Sequence, residues 1–159
     1  MPNNPDLTAV MAEILARDDC PIKGWVGIIS PPTSPRPETL IKLLKGNPAM
    51  VAISDVTTKE ELLKGHYFRF DTLLPLGVYN EPDDGKRREL RTAILMSLAK
   101  EGNMYMTVRM SFREAKHRSR FFTDEELMAD FKGAFKSVKV ITFHNKWTQL
   151  VHCTGRIWA

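Results

Sequence analysis

Two basic clusters hold the side chains best suited to recognition chemistry. The segment RMSFREAKHRSR carries five cations, Arg109, Arg113, Lys116, Arg118 and Arg120, with His117, against one acid, Glu114. The stretch GKRRELR carries Lys86, Arg87, Arg88 and Arg91. Guanidinium groups offer a planar fork of donors that matches phosphate and carboxylate oxygens. Tyr105, upstream of Arg109, adds an aromatic ring of the kind that stacks on a base. Arg91 follows Arg87 by one helical turn, so both project to one side.

Each cluster also has a plainer reading. Residues 109–120 fit a solvated connector between two core elements. Cations in the first turn of a helix oppose its macrodipole, and Asp83, Asp84 and Glu89 could neutralise them locally. A third group, Trp147 and Trp158 with Lys146 and Arg156, could stack bases near a turn, although core packing is the ordinary role of tryptophan.

Catalytic signatures are missing from the sequence. His66, His117, His144 and His152 are scattered, without carboxylate or cysteine partners at a recognised spacing. The chain has no GxSxG, P-loop, GxGxxG or HExxH pattern. Cys20 and Cys153 stand in neither CxxC nor CxxH spacing, so no metal site is expected. No catalytic residue and no cofactor is assigned.

The elements that must position these residues follow from periodicity. Leu7, Val10, Met11, Ile14 and Leu15 have helical spacing. WVGII at 25–29 reads as a buried strand, and the proline-rich SPPTSPRP at 30–37 as a stiff surface loop. Pro37 opens a helix that Gly46 and Pro48 close. MVAISDV at 50–56 is a strand, and Thr58 with Glu61 caps a short helix that Gly65 ends. HYFRF at 66–70 resembles a strand, while TLLPLGVYN is ambiguous.

The longest helix falls within 81–103, with Leu90, Ala93, Ile94, Ser97 and Leu98 as its buried stripe. Residues 104–112 alternate, with Met104, Met106, Val108, Met110 and Phe112 on one face and Tyr105, Thr107, Arg109 and Ser111 on the other. Thr123 and Glu126 form a capping box ahead of a helix whose core stripe is Leu127, Phe131, Ala134 and Phe135. Two strands then meet near Asn145-Lys146 as a C-terminal hairpin.

The 159 residues fit a single domain over 1–159, and 43% hydrophobic content marks a globular chain. No apolar run reaches the ~20 residues that span a bilayer, and MPNNPDLTAV lacks the shape of a signal peptide. A cytoplasmic protein with free thiols and no membrane contact is expected. Charge is uneven: residues 1–80 hold 8 basic and 9 acidic groups, whereas residues 81–159 hold 15 and 10.

The amphipathic C-terminal strands favour an α+β fold, a mixed or antiparallel sheet with helices packed mainly on one face. A parallel α/β sheet with an antiparallel edge hairpin is the alternative. The function expected is non-enzymatic binding of nucleic acid, RNA or single-stranded DNA ahead of duplex DNA. Arg87, Arg88, Arg91, Tyr105, Arg109, Arg113, Lys116, Arg118 and Arg120 would make the contacts. The alternatives are a small inhibitor docking on an acidic protein surface, and a metal-independent nuclease or nucleotide-using enzyme. A homodimer could form through an exposed C-terminal edge strand.

Overall fold

The computed structural model describes residues 7–29, 50–56, 68–110, 120–143 and 148–158. Helices α1 (Leu7–Leu15), α2 (Asp84–Ser97) and α3 (Asp124–Phe131) accompany one six-stranded sheet. Its strands are β1 (Gly24–Ile29), β2 (Met50–Val56), β3 (Phe70–Pro75), β4 (Leu98–Arg109), β5 (Phe135–Phe143) and β6 (Thr148–Arg156). Their order is β2-β1-β3-β4-β6-β5. The first four are mutually parallel. β6 runs antiparallel to both β4 and β5.

The sheet is covered on both faces. Val10 and Ile14 of α1 pack with Val26, Ile28, Leu74, Tyr105 and Leu150 on one side. Ala93 and Ile94 of α2, with Leu127 and Phe131 of α3, pack with Leu73, Met104, Met106, Val108 and Val151 on the other. Of the three described helices, two thus lie on one face of the sheet and one on the other. β1 reads as a nearly continuous apolar run because both its faces are buried, as parallel strands with crossover helices require.

The alternation in β4 and β6 misleads for a specific reason. Tyr105, Thr107 and Gln149 are buried polar positions, each with a partner close in space. Tyr105 is fully buried and donates its hydroxyl to the Pro21 carbonyl at 2.8 Å. Thr107 accepts from the Gly77 amide at 2.9 Å. Gln149 donates to the Phe122 carbonyl and to Asp124 at 3.1 and 2.8 Å. Satisfied polar groups of this kind tolerate burial, so a doubly covered strand can carry the pattern of a half-solvated one.

β6 is therefore interior, and the edge beside it is β5. The expectation of an exposed C-terminal edge strand is corrected accordingly; the hairpin pairing itself is present. The third strand begins at Phe70, where the expected strand at 66–70 was to end. The long helix stops at Ser97, and Leu98 turns extended at once (φ −80, ψ 136) as both its cap and the first residue of β4. A register shift between Phe70 and Thr72 and the positive φ of Glu101 (66°) accommodate that abrupt entry.

The proline-rich loop at 30–37, the expected helices near 37–45 and 58–64, and Trp147 with Lys146 lie outside the described residues. Among the described residues, no helix is long and apolar enough to cross a membrane.

Candidate functional site

In an open parallel sheet, ligands bind beyond the carboxyl ends of the strands, where the strand order reverses. Here that point lies between β1 and β3, because β2 flanks β1 on its other side. The Leu76 amide still reaches the Ile29 carbonyl at 2.7 Å, and the Gly77 amide then turns to Thr107. Gly77 has φ +68, and nothing lies within 4 Å of where a β-carbon would stand. Glycine adopts this conformation without strain, and it leaves open space at the mouth of the crevice.

Asn80, three residues on, ties this edge together. Its amide nitrogen donates to the carbonyls of Arg109 and Arg120 at 3.0 and 2.9 Å, and its oxygen accepts from the Arg109 amide at 2.8 Å. The Arg120 amide in turn donates to the Asn80 carbonyl at 2.9 Å. One buried side chain thus carries the return from β4 back to the start of α2.

The result is a cavity of about 420 Å³ between α2 and α3. α2 contributes Asp84, Arg87, Arg88 and Arg91. Arg120 and Phe122 close one end, and α3 supplies Glu126, Ala129 and Asp130. α2 begins at an Asp83 cap whose carboxylate accepts from the Lys86 amide at 3.0 Å. α3 begins at the expected capping box of Thr123 and Glu126. Both caps are local in sequence, and they set the helix starts from which the cavity's charges project.

Three ion pairs cross the lining. Arg87 bonds Asp84, Arg91 lies 3.3 Å from Asp130, and Arg120 lies 2.5 Å from Glu126. Tyr79 reaches the same centre, donating to Asp130 at 2.7 Å and accepting from Arg91 at 3.1 Å. Burial first, and then the bond to Asp130, push the Tyr79 phenol up. The Phe122 ring lies under two guanidinium groups, with Arg120 at 4.6 Å and Arg87 at 5.1 Å from its centroid. Asp84 is held below the usual carboxylate range by its bond to Arg87, and the charges of Arg88 and Arg120 act on it as well.

Arg87, Arg88, Arg91 and Arg120 of the sequence-based set therefore converge. Tyr105 does not join them; it is enclosed under α1's face of the sheet, which corrects the expectation of a stacking ring. Arg109 ends β4 beside Asn80, its backbone held by that side chain. Arg113, Lys116 and Arg118 fall outside the described residues. Trp158, of the third group, donates from its indole to the Leu98 carbonyl at 3.0 Å, and the Arg156 guanidinium lies 4.0 Å above its ring. The sequence reading missed Tyr79, Asn80, Phe122 and Asp130. The available signal was a short polar sequel, YNEPDD, to a strongly apolar strand.

A second cluster joins residues that sequence spacing kept apart. Asp19, Cys20 and His152 bring a carboxylate, a thiol and an imidazole within 4.8 Å of one another. The carboxylate already accepts from Arg17 at 2.9 and 3.0 Å and from Lys139 at 2.9 Å. Burial pushes the Cys20 thiol up to about 11, and His152 Nε2 lies 2.5 Å from the Asp19 carbonyl. Two cations on the one carboxylate disfavour a further positive ion there.

No family model matches the sequence, and no curated protein matches it significantly. Solved structures match in fold. An O-methyltransferase family protein from Burkholderia thailandensis superposes with a TM-score of 0.64 at 7% identity, covering 93% of this chain and 56% of that one. A chain from the complex of the Haloferax volcanii Trm112 methyltransferase activator with a methyltransferase gives 0.66 at 11% identity, covering 97% and 99%. The Burkholderia thailandensis 1,6-didemethyltoxoflavin-N1-methyltransferase, solved with 1,6-didemethyltoxoflavin and S-adenosylhomocysteine, gives 0.57 at 15% identity, covering 95% and 76%. This chain thus spans little more than half the length of the first. The likeness establishes the fold alone, a Rossmann-like α/β sheet that these structures share. The expectation of a non-enzymatic nucleic-acid binder or an inhibitor is corrected, because these neighbours are methyltransferases.

Proposed function

We propose that this chain forms the catalytic domain of an S-adenosylmethionine-dependent methyltransferase, with its cofactor crevice beyond the carboxyl ends of β1 and β3. The observation that carries the reading is the superposition of this sheet, in which β6 lies antiparallel between β4 and β5, on structures of methyltransferases. Single-domain organisation and a cytoplasmic location are part of the proposal.

Gly77 is the described residue that bears on the fit of the cofactor. Gly77 leaves the crevice open, and a side chain there would both fill it and strain a positive φ. Tyr79 and Asn80 follow as buried residues, and the Asn80 amide is committed to the Arg109 and Arg120 carbonyls. When bound, the cofactor supplies a methyl group on a sulfonium, which passes to an acceptor lone pair as the sulfonium becomes a thioether. The chain's own part is to hold the acceptor in line, and positioning of that kind lowers the barrier by removing orientational freedom. In this reading the cavity between α2 and α3 is the acceptor side of the site.

Partnership follows the same limits. One neighbour is solved with an activator protein. A second copy of this chain could pair along β5, the edge of the C-terminal hairpin.

The test is calorimetric titration of the purified protein with S-adenosylmethionine and S-adenosylhomocysteine. Saturable one-to-one binding is expected. No heat at millimolar cofactor overturns the reading.

A further inference from the structure

Asp84 occupies an unusual position among the arginines. Its side chain is 69% exposed, whereas that of its partner Arg87 is 11% exposed. Arg87 is fixed from behind by its 2.7 Å bond to the Glu81 carbonyl and lies over Phe122. Arg120 is held over the same ring by Phe122 and by its bond to Glu126. Arg88 lines the cavity with no ion pair among the described residues. Three guanidinium groups from two separate segments thus act on one solvent-facing carboxylate at the first turn of a helix.

We propose that Asp84 holds the place of a ligand's anionic group, and that the cavity between α2 and α3 binds a phosphate monoester of a small molecule. The charge count selects phosphate. Four arginines against three carboxylates leave the lining with one net positive charge. When the Asp84 side chain swings out to solvent, that excess becomes two, which matches the ~−1.5 to −2 of a phosphate monoester at neutral pH. Arg88 and the released Arg87 present forked donors to its oxygens, and the start of α2 adds a favourable dipole. Arg91, locked with Asp130 and Tyr79, remains as a wall.

The proposal deepens the methyl-transfer reading, on which one part rests: that the phosphate belongs to the methyl acceptor. Phosphate binding itself stands without it.

The probe is inorganic phosphate, titrated calorimetrically into the wild-type protein, Arg88→Gln and Asp84→Asn. Both changes of side chain are at exposed sites, and thermal melts establish that each variant is folded. Wild type is expected to bind saturably, and Arg88→Gln to bind about tenfold more weakly through loss of a charge-assisted contact. Asp84→Asn is expected to bind more tightly, because the internal competitor is gone; a merely structural Asp84 would leave affinity unchanged or lower it. No saturable binding by wild type or Asp84→Asn overturns the proposal, as does binding indifferent to Arg88→Gln. The same samples are titrated with S-adenosylmethionine. Cofactor binding without phosphate binding defeats only this inference; phosphate binding without cofactor binding defeats only the methyltransferase reading.

Discussion

The Tyr79 hydroxyl donates a 2.7 Å hydrogen bond to Asp130, joining the segment that leaves β3 to the end of α3 across 51 residues of sequence. The ring itself is fully buried between Phe122 and Phe131, at centroid distances of 5.4 and 5.5 Å. Tyr79 therefore couples the hydrophobic core to the charged cavity. It sets where Asp130 stands, and Asp130 sets Arg91.

Tyr79→Phe keeps the ring and removes that bond. A hydrogen bond to a charged partner is worth about 1.5–3 kcal/mol, so urea melts should show a loss of this order. A midpoint equal to wild type would mean that Asp130 finds an equivalent partner in Arg91.

Phe131→Ala tests the core beneath α3. Phe131 is fully buried in the cluster shared with Met106 and Val151, and truncating a buried aromatic costs about 3–5 kcal/mol. Thr123→Ala in the same helix removes the side chain that accepts from the Glu126 amide at 3.2 Å, at a cost of about 1 kcal/mol. Denaturant midpoints should rank the two in that order. The reverse ranking would place the helix's stability in its cap.

The cysteines should be silent in the folded state. Cys20 and Cys153 are free and buried. Burial pushes the Cys20 thiol up to about 11 and raises that of Cys153 further still, while the thiolate is the reactive form. A thiol reagent at pH 7.5 should label neither until denaturant is added, and reductant should leave the melting curve in place. Rapid labelling of the native protein would show that one of these sites opens.

Acid should weaken the fold through paired carboxylates. Asp19 is held well below its ordinary value, first by its bond to Arg17 and then by Lys139. Glu126 is lowered by the Thr123 amide and then Arg120, and Glu101 by Lys136. A carboxylate whose folded pKa is depressed adds stability above its unfolded pKa, ~3.9 for Asp and ~4.3 for Glu. That stability disappears as pH falls through the folded value. Urea midpoints should therefore decline from about pH 5 downward, and Asp19→Asn should decline less steeply. An Asp19→Asn acid limb parallel to that of wild type would remove Asp19 from this account.

Local features of this protein were legible in its chain. The Thr123–Glu126 capping box, the helical stripe of Ala93 and Ile94, and the methionine face of β4 each depend on residues within a turn or two of one another. Short-range sterics and hydrogen bonding determine them before any packing occurs. Gly85–Arg91 and Arg109–Arg120 stood out as basic segments for the same reason: charge along the chain is a local quantity.

Tertiary structure decided the rest. Nothing near Tyr105 in sequence says that α1 covers it, or that Pro21 accepts its hydroxyl from 84 residues away. Nothing near His152 places Asp19 beside it, 133 residues upstream. A buried polar side chain with a distant partner has the same one-dimensional signature as a solvated one. Strand order has no local signature either, so β6 could be seen as a strand yet not as an interior one. The cavity exists only because Asn80 draws Arg120 back to α2. Which arginines share a site depends on that contact, and which of them share a segment does not.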